Sequence, residues 1–256
     1  MLGRKLLVQF TLGRRNTQVL TSQFQRLCHH ETQATPGATP DHQKVYELRC
    51  YQVNVKDMKT YIEVTTDPGI KIRTKYSKLL GYWQSEYGGI CNQVVHMWVY
   101  DSLQHRIQLR KGLTSDPAWI SDYLSHVLPM WNFQENSLMR LLPWASIPSE
   151  VKDGGIYQLE KLTLTGDIGK EMGRIAEYGL AADEGTDRQL IGAWNVICGK
   201  LNTVNLLHRY GSQDAAIHHQ THPEKSKTAQ AYKSMLPLTA AVESRILLPY
   251  SFSPWK

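Results

Sequence analysis

The chain has 256 residues, 41% hydrophobic and 20% charged, enough to bury a core in one large domain or in two of about 100 residues each. No apolar run reaches the roughly 18 residues of a transmembrane helix, and the four scattered cysteines, Cys28, Cys50, Cys91 and Cys198, lack the spacing of a disulfide scaffold or a zinc ribbon. The net charge of +6 does not indicate nucleic acid, because Arg4, Lys5, Arg14, Arg15 and Arg26 supply five of those charges before His30, with no acid among them.

Residues 1–43 read as a presequence and linker. On a helical wheel Leu2, Leu6 and Phe10 fall opposite Arg4 and Arg15, an amphipathic, arginine-rich and acid-free pattern of the mitochondrial targeting type. A mitochondrial location, in the matrix or associated with the organelle, is therefore expected, with the cytosol as the alternative. Thr32 to Pro40, "TQATPGATP", is a linker composition, and folded protein is expected from about Lys44.

From there the chain repeats itself. Val45-Tyr46-Glu47-Leu48 returns as Ile156-Tyr157-Gln158-Leu159, and Gly81-Tyr82-Trp83 as Gly192-Ala193-Trp194, both 111 residues on. After one residue is lost in a turn, Asn92, Val94, Tyr100 and Ser102 recur 110 residues on as Asn202, Val204, Tyr210 and Ser212. The expected domains are residues 44–147 and 154–256.

Each copy predicts strand, helix, strand, strand, helix, strand. In the first, Val45 to Val53 is a strand, and Lys56 to about Ser77 is helical but interrupted at Asp67-Pro68-Gly69. Leu80 to Tyr87 and Asn92 to Tyr100 form a hairpin around Gly88-Gly89. Ser102 to Asn132 is helical with a break at Asp116-Pro117, and Ser137 to Leu142 is the last strand. The fold class is α+β: two tandem ferredoxin-like βαββαβ repeats packed as a pseudo-twofold dimeric α-β barrel. Strand alternation assigns Tyr46, Leu48, Cys50, Val95, Met97 and Val99 to the helix layer. It assigns Glu47, Arg49, Tyr51, Val94, His96, Trp98 and Tyr100 to a cleft between the two sheets. His208, standing in register with Trp98, joins that cleft.

The motifs Val45-Tyr46-Glu47-Leu48-Arg49, Leu80-Gly81-Tyr82-Trp83, Glu86-Tyr87-Gly88 and Asn92 to Tyr100, with Arg106 and the ending Ser251-Phe252-Ser253-Pro254, resemble the NIPSNAP family of mitochondrial proteins. The ending from Leu248 looks most like the third-type animal branch. The likeness covers both repeats from about residue 44. It implies the barrel fold, mitochondrial or cytosolic residence, roles in vesicular transport and in marking damaged mitochondria for autophagy (mitophagy, a form of mitochondrial quality control), and no established enzyme activity. Other proteins, autophagy adaptors among them, are the implied partners, with neither nucleic acid nor a transmembrane segment, and a homo-oligomer is also admitted. In the second repeat Leu206 replaces His96 and Ala216 replaces Arg106, so any chemistry is one-sided.

Two functional readings follow. The favoured one is a non-enzymatic protein that recruits partners, and Trp144-Ala145-Ser146-Ile147 has the aromatic-x-x-aliphatic form of an autophagy-adaptor ligand. The alternative is a barrel-cleft enzyme, or a small-ligand or haem-binding protein of oxygenase type. Its candidate residues are His96, Glu86 and Arg49, with Arg106 beside them, and His96 is the prospective general base. His218 and His222 lie one helical turn apart without a third ligand or an H-E-x-x-H, so no metal is expected. Gly88-Gly89 and Asp153-Gly154-Gly155 are turn glycines outside any phosphate-binding pattern, so no cofactor is expected either.

Overall fold

Eight strands rich in β-branched and aromatic residues close into one antiparallel barrel in the computed structural model, which describes residues 40–256. The segment expected to target the chain and most of the expected linker lie outside the described residues. The strands are β1 (Val45–Val53), β2 (Lys78–Tyr87), β3 (Gln93–Tyr100), β4 (Trp131–Leu141), β5 (Ile156–Leu164), β6 (Gln189–Cys198), β7 (Thr203–Tyr210) and β8 (Thr239–Pro249). Around the barrel they run β1-β3-β2-β8-β5-β7-β6-β4. The first four strands thus form one curved sheet and the last four another, joined where β2 pairs with β8 and β4 with β6. Helices Met58–Val64, Ile70–Arg73 and Leu103–Thr114 belong to the first half, and Ile168–Leu180, Gln213–Thr221 and Lys227–Met235 to the second. This is the expected α+β architecture of tandem βαββαβ units in a closed barrel. No helix among the described residues is long and apolar enough to cross a membrane.

The recurring residues share local duties. A Cβ on Gly81 would come within 2.1 Å of the Trp83 indole, and one on Gly192 within 2.5 Å of Trp194, so each glycine leaves room for the ring two residues on. Asn92 Nδ2 donates to the Val53 carbonyl at 2.5 Å and Asn202 Nδ2 to the Leu164 carbonyl at 2.7 Å, tying each hairpin turn to the end of the preceding strand. Ser102 and Ser212 cap the next helices, accepting from the N–H groups of His105 at 3.0 Å and Ala215 at 3.1 Å.

Alternation sorted the strand residues into two sets correctly but placed them on the wrong sides. The barrel interior holds Tyr46, Leu48, Cys50, Val95 and Met97 against Tyr157, Leu159, Trp194 and Leu207. The set assigned to an inter-sheet cleft, Glu47, Arg49, Tyr51, Val94, His96, Trp98 and Tyr100, faces outward and is covered by the helices of its own repeat, where Tyr51, Val94, Trp98 and Tyr100 pack with Tyr61, Ile72, Leu113 and Tyr123. His208 is likewise covered by its own repeat's helix, against the Gly179 carbonyl. The charged members of the outward set find partners in the helix layer, which supplies Arg106 to Glu47, while the barrel interior holds charges of its own at one end, where Glu135, Lys161, Glu243 and Arg245 line a small cavity.

Two boundaries also matter. The first-repeat helix breaks where Asp67-Pro68-Gly69 interrupts it, with Asp67 at φ −149° and ψ 118°, and resumes at Ile70. In the second repeat the matching helix, Ile168–Leu180, runs unbroken. Strand β4 begins at Trp131, six residues before the expected start, because residues 132–136 are exposed and show no alternation of burial.

Candidate functional site

The broken helix roofs a cavity of about 180 Å³ between the first sheet and its helices. Thr65, Gly69 and Arg73 from the broken segment, Arg110 and Leu113 from helix Leu103–Thr114, and Tyr82, His96 and Trp98 from the sheet contribute to its wall. His96 is 2% exposed. Its ring stacks on Tyr82 with centroids 4.7 Å apart and a 13° interplanar angle, and Tyr51 meets it edge-on at 4.8 Å.

The protonation of His96 follows from its neighbours. The Trp98 indole Nε1–H donates to His96 Nδ1 at 2.6 Å, so Nδ1 is an acceptor and the proton of the neutral ring resides on Nε2. Burial, followed by the charges of Arg73 and Arg49, drives the His96 pKa well below its ordinary value, against an opposing pull from Glu47. The imidazole is therefore neutral at physiological pH. Its Nε2–H has no hydrogen-bond partner among the described residues. A neutral ring with this tautomer is a hydrogen-bond donor, rather than the general base that the enzyme alternative requires.

Beside it stands a buried carboxylate with an excess of partners. Glu47 is fully buried and accepts from Arg49 Nη1 at 2.6 Å, Arg106 Nη2 at 2.7 Å and Nε at 3.1 Å, Asn136 Nδ2 at 3.0 Å and Tyr100 Oη at 3.1 Å. Burial alone would raise its pKa, but the hydrogen bond from Arg106 and the charge of Arg49 outweigh it and hold the carboxyl below the usual range. Arg49 also donates from Nε to Tyr51 Oη at 2.6 Å.

Arg73 differs from Arg49 and Arg106. It is 7% exposed, and its guanidinium carbon lies 4.0 Å from the Trp98 ring centroid. No carboxylate among the described residues is within ion-pair distance, and its Nε is without a hydrogen-bond partner. Arg110, half-buried on the cavity wall, has no ion pair among the described residues either.

The sequence-derived candidates are thus only partly brought together. His96, Arg49, Tyr51 and Trp98 line the cavity, while Arg106 and Glu47 stand behind it as support. Glu86 does not join them. It is half-buried on β2 four residues beyond Tyr82, about 13 Å along an extended strand. Arg73 and Arg110 were not anticipated. Arg110 carried one legible signal, its position four residues after Arg106, which sets both on one helical face.

The second repeat fills the equivalent space. Leu162, Ala193 and Leu206 replace Tyr51, Tyr82 and His96, and pack with Tyr178 and Met235. Glu160 replaces Arg49 and accepts a hydrogen bond from Tyr178 Oη at 2.7 Å, and burial raises its pKa. The segment Trp144 to Ile147 cannot serve as an exposed adaptor ligand, because Trp144 is 6% exposed and its indole packs against Gly179. His218 and His222 stack on each other at 4.6 Å, and no group of three metal-ligating side chains occurs among the described residues.

Comparison with known proteins adds relatives and a fold. The NIPSNAP family model matches residues 46–146 and 159–254. Protein NipSnap homolog 3A of Homo sapiens is 30% identical over 220 residues, covering 82% of this chain and 85% of the relative. Protein NipSnap homolog 3B of Homo sapiens is 29% identical over 214 residues with the same coverage. Among solved structures, a putative monooxygenase from Fusobacterium nucleatum covers 80% of this chain and 92% of its own, with a TM-score of 0.58 and 10% identity. An anthrone oxidase-like protein has a TM-score of 0.56 at 9% identity, covering 84% and 94%. At such identities these structures show a shared fold and nothing of chemistry.

Proposed function

Starting from the fact that this chain belongs to the NIPSNAP family, we propose that it is a small-molecule-binding protein whose site is the cavity of the first repeat. The observation that carries the reading is the His96 Nε2–H, buried on the cavity wall with no partner. Native proteins pair nearly all buried polar groups, and a donor left over in a cavity has a ligand as its natural complement. A space of about 150 Å³ is enough for a benzene ring, so about 180 Å³ suits a single ring with one substituent.

Haem does not fit. Ligation to iron needs a lone pair on a ring nitrogen, yet Trp98 occupies Nδ1 and thereby protonates Nε2, and a porphyrin far exceeds this cavity. The test is ligand-observed NMR and native mass spectrometry of protein purified without denaturant. A stoichiometric small molecule or a bound single-ring probe is expected, with affinity about 10-fold weaker in His96→Ala. Probes that bind His96→Ala as tightly as the parent would sink the reading.

Recruitment of other proteins, including autophagy adaptors, in mitochondrial quality control or vesicular transport is the second reading, in which the chain is not an enzyme. Its supporting observation is an open depression lined by Val55, Met58, Ile62 and Tyr250, with Val55 77% exposed. Both readings share the mitochondrial address inferred for residues 1–43. Those residues fused to a fluorescent protein should carry it to mitochondria, and a diffuse cytosolic signal would favour the alternative location.

A further inference from the structure

We infer that the ligand of this cavity is an organic monoanion, a carboxylate on an apolar body of about one ring, with the carboxylate held by Arg73 and His96 Nε2–H. The inference rests on the cavity being a ligand site and adds the class of molecule it takes. Three cationic side chains line the cavity, Arg49, Arg73 and Arg110, and Arg49 is already committed to Glu47. Arg73 is more than nine-tenths buried with no carboxylate within reach among the described residues. An unpaired buried guanidinium is costly, and natural chains keep one where a partner arrives from outside. Its planar fork matches a carboxylate, and the Trp98 ring beneath it fixes its plane.

The remaining surroundings agree with an anion. Besides Arg73, the charged groups acting on His96 are Arg49 and Glu47, and Glu47 is saturated by its own hydrogen bonds. Most of the other wall groups are aromatic or aliphatic, among them Ile70, Leu113, Trp119 and Leu124, with Thr65, Thr114 and Gln134 the uncharged polar ones. They suit the body of the molecule. Neutral His96 donates from Nε2, as an anion requires, without adding a second full charge.

The experiment measures benzoate and its neutral analogue benzyl alcohol by ligand-observed NMR on the full chain, the Arg73→Met variant and the Arg73→Lys variant. Benzoate is expected to bind the parent 10- to 100-fold more tightly than benzyl alcohol, on the order of one charge-assisted hydrogen-bond pair. Arg73→Met should remove that preference while retaining benzyl alcohol, and Arg73→Lys should restore only part of it, because the ammonium lacks the fork. Equal binding of the two probes to the parent overturns the anion assignment while leaving the cavity a binding site. Failure of both probes at tens of millimolar overturns the cavity reading with it. Preference for benzoate that persists in Arg73→Met overturns the role given to Arg73.

Discussion

Glu47→Ala is expected to destabilise the fold by about 3 to 5 kcal/mol, because removing one member of a buried ion pair strands its partner. For a domain of this size that is a fall in Tm on the order of 10 °C. Glu47 is fully buried and gathers two arginines, an asparagine and a tyrosine from three strands and one helix. Arg106 lies toward the surface and regains water when released, but Arg49 does not. Glu47→Gln keeps one acceptor and should fall between the two. The folded-state pKa is held below the ordinary carboxylate range, so the contribution is complete above that range. It is lost as pH falls below that range towards the folded-state value. Glu160, which occupies the Arg49 position of the second repeat, has the opposite sign: burial raises its pKa, so ionising it at higher pH works against folding. Thermal melts of Glu47→Ala and Glu160→Gln against pH check both. A Glu47→Ala melt within about 1 kcal/mol of the parent contradicts the assignment.

Truncation after Pro249 should have an effect at least as large, on the order of 5 kcal/mol, although it removes only a short tail. Trp255 is 8% exposed and joins the barrel core 6.2 Å from Trp83, and loss of a buried tryptophan accounts for most of that figure. Ser253 is fully buried, accepting from the Tyr82 N–H at 2.9 Å and donating to the Trp255 carbonyl at 2.7 Å. The Tyr250 N–H donates to the Tyr82 carbonyl at 3.1 Å, and the Phe252 ring lies 5.1 Å from that of Tyr82. Since Tyr82 stacks on His96, the tail of the second repeat braces the site of the first. A circular-dichroism melt of the truncated chain, with single-ring probe binding measured beside it, tests this. Unchanged values for both would refute the bracing role.

The architecture was legible because its recurring residues serve local needs. A glycine that makes room for an indole, an asparagine that ties a turn and a serine that caps a helix each act within a few residues or one strand pair. The orientation of the sheet faces was not legible, because both are buried and hydropathy separates buried from exposed rather than one interior from another. His96 and Arg49 were recognised from strand alternation. Arg73 was hidden in a helix that a short break bends over the cavity, and only the fold reveals that it has no partner. Glu86 is an acid near His96 in sequence, but it sits four residues beyond Tyr82 along a strand, which is far in space.

Closure of the barrel by two seams between halves also governs how the chain must be made. When the first half has been synthesised alone, β2 and β4 are bare edges, each presenting unpaired N–H and C=O groups beside an apolar concave face. The strand that covers β2, β8, is the last of the eight in chain order, and the segment that seals it follows. Nascent chains therefore carry a bare β4 edge until β6 is made and a bare β2 edge until β8 is made. A premature stop or a nick between the halves yields an aggregation-prone fragment in place of a working half-protein, and chaperone capture during translation is the safeguard such a topology calls for.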